Sequence, residues 1–199
     1  NGFSDKTAIR QYLEKKKKFS ISCTPDRNDL SLFPEDDFSM VPLTGWGNYD
    51  WKIKSVSDSA QFYFRQGINM YYSFHIIESL ASFKKASFLD PSAPMPYWGI
   101  ALAYGPNIND VTYSATPLAL EAIKKAETLL KGTSDFEKGL IKAMLLRYSA
   151  DISKKRIELD GAYALSMKDL YVNNPGNPDA GALYADALML LHPWDLYDQ

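Results

Sequence analysis

Cysteine and histidine are nearly missing from this chain. Cys23 is the only cysteine, which excludes an intrachain disulfide and a thiolate metal cluster. His75 and His192 are the only histidines; they lie far apart and form no i, i+4 ligand pair, which argues against a two-histidine metal site. Serines are plentiful, but few bases exist to activate them. No Gly-x-Ser-x-Gly elbow, phosphate-binding glycine loop or dinucleotide fingerprint occurs. Charge of one sign is lacking as well: 22 Lys and Arg against 24 Asp and Glu give a net charge of −2, so no basic field points to nucleic acid. The one basic run, Lys15 to Lys18, reads as a solvated helix end whose cations suit the helix dipole. No apolar stretch approaches the ~20 residues of a membrane-spanning helix. The chain opens on Asn1 and not on Met, as a processed or trimmed polypeptide would.

What the chain does have is apolar and aromatic side chains, 46% and 14% of its 199 residues, enough for a continuous core. Ser4 as N-cap, with Ile9, Tyr12, Leu13 and Phe19 at helical spacing, predicts a first amphipathic helix at about 5 to 18. Between Ser20 and Ser57 the periodicity disappears, broken by Pro25, Pro34, Pro42, Gly45 and Gly47. The rings there (Phe33, Phe38, Trp46, Tyr49, Trp51) need apolar contacts, so this segment is expected to drape over the rest. Residues 1–57 therefore form an N-terminal helix and an extended segment, and 58–199 a set of helices. Helices are expected at 58 to 73 and 78 to 89, with Asp90-Pro91 as the stop. Another opens near Pro96 and ends at Gly105-Pro106-Asn107; Thr116-Pro117 opens its partner. Ser134-Asp135-Phe136-Glu137 is a capping box that starts arms at about 135 to 150 and 153 to 173. Asn177-Pro178 opens a last helix to about Leu191.

Within 60 to 91, Tyr63, Gly67, Ser79, Phe83, Ala86 and Pro91 match the aromatic, small and helix-stopping slots of a tetratricopeptide repeat. Tyr97, Ile100, Ala101 and Tyr104 return to the same slots one ~34-residue period later. The chain thus resembles the tetratricopeptide repeat family, with units at about 58–91, 94–131 and 134–175 and an unpaired helix at 178–191. The stretch 93–109 and the motif His192-Pro-Trp-Asp195 further resemble uncharacterised bacterial members, many of them exported, with longer arrays. The resemblance implies an all-α, right-handed solenoid of antiparallel helix hairpins, and this chain as an N-terminal fragment of a longer array. It leaves the compartment open between periplasm or export and cytoplasm. The helix at 179–191 would expose Ala180, Leu183, Tyr184, Ala187, Leu188 and Leu191, a stripe suited to self-association.

Such solenoids bind polypeptides. By register the inner face carries Gln61, Phe64, Ile68, Tyr71 and Tyr72, then Met95, Trp98 and Leu102. The clamp that holds chaperone tails needs Lys, Asn and Arg where this chain has Phe64, Ile68 and Gly99, so that ligand is not expected. The predicted function is a non-catalytic protein–protein interaction or scaffold module that binds a peptide or helix in an aromatic groove. Phe64, Ile68, Tyr71, Tyr72 and Trp98 are the candidate anchors, and Asn107 and Asn109 the polar orienters. Equally, the draped N-terminal segment of the same chain can fill that groove. The alternative function is the recognition or regulatory portion of a larger enzyme or small-molecule-binding protein. No catalytic residue, cofactor or metal ligand is assigned. Asn107, Asn109 and Asp110 lack the alternating oxygen ligands of a calcium loop, and Glu35-Asp36-Asp37 has no base or nucleophile beside it.

Overall fold

In the computed structural model the described residues are 38–109, 111 and 115–193. The expected helix at 5 to 18, Cys23, the acidic turn at 35–37, Asp110, and Trp194 and Asp195 of the motif at 192–195 lie outside them. Among the described residues there are seven α-helices and no strand: α1 (Asp58–Tyr72), α2 (Ile76–Leu89), α3 (Pro94–Ala103), α4 (Thr116–Glu127), α5 (Asp135–Leu146), α6 (Arg156–Asn173) and α7 (Pro178–Leu191). None of these helices is long and apolar enough to cross a membrane. The fold is all-α.

Local chemistry sets most boundaries. Ser57 caps α1 by accepting from the Ala60 N–H, and Ser134 and Glu137 complete the capping box of α5. Asn177 accepts from the N–H groups of Asp179 and Ala180 at the start of α7. The α1–α2 turn is less ordinary. His75 N–H reaches Met70 O and Phe74 N–H reaches Tyr71 O, the paired bonds of a Schellman ending. The left-handed position belongs to Phe74 at φ 60°, where glycine is the usual occupant. The tight turn lets α2 begin at Ile76, two residues before the expected Glu78.

Each helix packs against its sequence neighbours, and α3 also touches α1 and α5. Phe83 of α2 is the wedge at the first junction. An added Cβ on Gly67 or Gly99 would fall 2.7 or 2.5 Å from its ring, so both glycines are needed for α1 and α3 to close on it. Ser79 Oγ donates to Gly67 O at 2.9 Å and fixes the same crossing. The expected exposed stripe of α7 is largely covered. Ala180, Leu183, Ala187 and Leu190 are buried, because α7 packs along α6 and its start lies against Tyr49 and Tyr72. Tyr184 stacks on Tyr171 of α6 at 5.8 Å, and Leu188 is the apolar residue of the stripe left exposed.

Candidate functional site

Residues 38–57 form a strap over α1, and its burial alternates. Tyr49, Trp51 and Ile53 turn inward while Asp50, Lys52 and Lys54 are exposed, the two-residue period of an extended chain. On α1, Gln61, Arg65 and Asn69 recur every four residues and so share one helix face. That face reads the strap's backbone in antiparallel order. Asn69 Oδ1 accepts from Tyr49 N–H at 3.1 Å and its Nδ2 donates to Tyr49 O at 2.8 Å. Arg65 pairs with Asp50 at 3.1 Å. Gln61 Nε2 donates to Trp51 O and its Oε1 accepts from Ile53 N–H, both at 2.9 Å. Gln66, on the adjoining face, does the same for Val41 O and Leu43 N–H. A carboxamide suits this task because it carries a donor and an acceptor side by side, matched to one peptide unit in each direction.

The inward Trp51 enters an aromatic socket supplied by three different helices. Its ring lies 5.9 Å from Phe64 of α1, 5.7 Å from Trp98 of α3 and 6.1 Å from Phe136 of α5. These separations fall in the favourable range for ring pairs. Trp98 is fully buried, and its indole Nε1 has no hydrogen-bond partner among the described residues.

A second polar junction joins the strap and α1 to α7. Asp179 accepts from the Tyr49 hydroxyl at 2.5 Å and from the Tyr72 hydroxyl at 2.8 Å. Burial, with the Asp179 carboxylate beside them, pushes both phenols well above their ordinary range, so they stay protonated as donors. Beyond them lies a cavity of about 120 Å³ whose wall includes Tyr71, Phe74, Asn107, Leu183 and Asp186. Tyr71 donates to Asp186 at 3.4 Å; burial raises the Asp186 carboxyl. Behind it, Arg147 is fully buried, donates to Pro106 O at 2.6 Å and lies 4.8 Å over the Tyr163 ring.

The predicted site residues therefore fall into two groups and not one groove. Phe64 and Trp98 surround Trp51, with Ile68 fully buried on the same helix as Phe64. Tyr71, Tyr72 and Asn107 line the cavity. Asn107 is itself buried and accepts from the N–H of Asn109, which is half-buried, at 2.9 Å. Sequence reasoning counted Trp51 among the draping rings without assigning it to the site, and passed over Asn69, Phe136 and Asp179. The Tyr-Asp-Trp-Lys-Ile-Lys alternation at 49–54 was the available signal for Trp51. His75 lies 4.0 Å from Glu78 at the start of α2. Among the described residues no group of His, Cys, Asp or Glu gathers in metal-binding geometry. No family model, curated protein or solved structure matches the chain.

Proposed function

We propose that this chain is a tetratricopeptide-type helical solenoid with a non-catalytic role in binding polypeptide, a scaffold or interaction module. The observation that carries the reading is the strap: one face of α1 already holds a stretch of polypeptide by its backbone, through paired carboxamide contacts from Gln61 and Asn69. Contacts to backbone N–H and C=O are independent of side-chain identity, so a face that makes them for one segment has the chemistry for others. Support for the repeat architecture comes from helices that pack on their neighbours in chain order and from Phe83 seated between Gly67 and Gly99.

Panning a random-peptide library on the native chain tests the function. The expected result is enriched ligands whose affinity falls about tenfold or more in a Gln61→Ala/Asn69→Ala chain, as loss of paired hydrogen bonds implies. A library that enriches nothing, or ligands indifferent to both amides, would overturn it.

The cavity beside Tyr71 and Asp186 favours a second reading, a small-molecule site. At about 120 Å³ it has room for one side chain or a small ring, and is smaller than the ~300 Å³ at which pockets for drug-sized ligands begin. That size suits an anchoring side chain of a polypeptide better than a cofactor. A thermal-shift screen of small aromatic fragments separates the two, since stabilisation lost in Asp186→Ala would favour the small molecule.

A further inference from the structure

We infer that residues 49–53 are an internal pseudo-ligand, and that the partner they stand in for is an extended segment of the form aromatic–acidic–Trp–any–aliphatic. The inference rests on the polypeptide-binding reading above and names the partner that reading leaves open.

Each position of the motif has a matching contact. The first ring takes the place of Tyr49, between Asn69 and the hydroxyl-accepting Asp179, and lies 6.1 Å from the Tyr72 ring. The acidic residue takes the place of Asp50 beside Arg65; this pair is solvent-exposed and contributes selectivity more than affinity. Tryptophan fills the socket of Phe64, Trp98 and Phe136, where three separate helices converge on one ring. The fourth position, Lys52, faces solvent and is unconstrained. The fifth takes the place of half-buried Ile53, whose N–H ends on Gln61.

The manner of attachment separates this strap from an ordinary piece of core. Between Tyr49 and Ile53 its backbone bonds are made to side chains of α1, so an incoming segment of the same pattern can replace every one of them without unpairing a helix. The competitor must overcome a tethered occupant, whose effective concentration for a short linker is in the millimolar range. A strap that loses its tryptophan should yield the site.

The test uses a fluorescein-labelled peptide with the sequence of residues 47–56, titrated against the full native chain and the full Trp51→Ala chain. The same peptide with alanine in place of its tryptophan serves as the comparison. Circular dichroism confirms that the variant keeps its helices. The expected result is that Trp51→Ala binds the peptide at least about tenfold more tightly than the native chain, and binds the alanine peptide at least about tenfold more weakly. Equal binding of both peptides removes the tryptophan motif but leaves a polypeptide-binding face. No binding of either peptide by the folded variant removes the pseudo-ligand. Enriched library ligands that still depend on Gln61 and Asn69 would then leave the broader function standing.

Should Trp51→Ala fail to fold, hydrogen exchange on the native chain answers the same question. A millimolar excess of the tryptophan peptide should speed exchange at the strap region containing Tyr49 and Ile53, and the alanine peptide should not. Unchanged exchange with both peptides overturns the inference. So does a native dimer, seen by light scattering, that Trp51→Ala dissolves, because the occupant is then the strap of a second copy.

Discussion

At the scale of single residues, the best-determined feature is the close approach around Phe83. Gly67 belongs to α1 and Gly99 to α3, yet both lie against one ring, so a methyl group at either position must push on a side chain that is itself fully buried. Gly99→Ala is therefore expected to destabilise by about 1–3 kcal/mol, the usual cost of overpacking. This should appear as a lower urea midpoint with an unchanged slope. Small–aromatic–small spacing made Gly67 and Phe83 legible in the sequence. Phe74 was not legible, because Ser73-Phe74-His75 contains none of the residues that usually mark a left-handed backbone. Its φ of 60° lets the Phe74 and His75 N–H groups reach two end carbonyls of α1, a local helix ending that this sequence does not mark with glycine or asparagine.

At the scale of elements, the last residues of the strap, just before α1, and the end of α2 meet at one carboxylate. Asp90 follows the last turn of α2 and accepts from Ser55 Oγ at 2.7 Å and Val56 N–H at 2.9 Å. It also accepts from Ser92 Oγ at 2.6 Å and Ser92 N–H at 3.1 Å. Burial pushes this carboxyl up, but the four hydrogen bonds outweigh it and bring it down to about 2. A carboxyl with a depressed folded-state pKa contributes stability above its unfolded value near 3.9 and loses it as pH falls through the folded value. Asp90→Asn should thus cost on the order of 2 kcal/mol at pH 7. The gap from the native chain should close between about pH 4 and pH 2, read as converging urea midpoints. A gap that is constant with pH would mean that shape and not charge is what matters there. The sequence identified Asp90-Pro91 as a helix stop and Ser134–Glu137 as a start because caps and breakers act within a few residues. It offered the draped segment as one filler of the inner face, but did not show which residues of the strap and α1 pair. A stretch interrupted by Pro42, Gly45 and Gly47 reads as irregular until the two-residue alternation after Gly47 is set against the four-residue stripe of Gln61, Arg65 and Asn69.

At the scale of the whole molecule, the question is how the last helix is tied to the first. In a strictly linear repeat array each unit touches only its neighbours, and the terminal unit frays on its own. Here Asp179 at the start of α7 accepts from Tyr72 and Tyr49, across sequence separations of 107 and 130 residues. No local pattern announces contacts of that span, while the stripe on α7 that the sequence suggested as uncovered packs mainly on α6. The bonds are charge-assisted, and losing their acceptor leaves two part-buried phenols without it. Asp179→Ala is accordingly expected to cost about 2–3 kcal/mol. The cost has a location as well as a size. Hydrogen exchange should quicken along α7 in the variant, while α2, whose core of Leu80 and Phe83 is fully buried away from the junction, keeps its protection. Tyr72→Phe should reproduce part of the effect and add little on top of Asp179→Ala, since both remove the same bond. Uniform loss of protection over all seven helices would instead show that the closure of α7 on α1 is inseparable from global folding. In that case the strap's socket, built from α1, α3 and α5, could not open without unfolding, and the segment at 49–53 would be core and not a replaceable ligand.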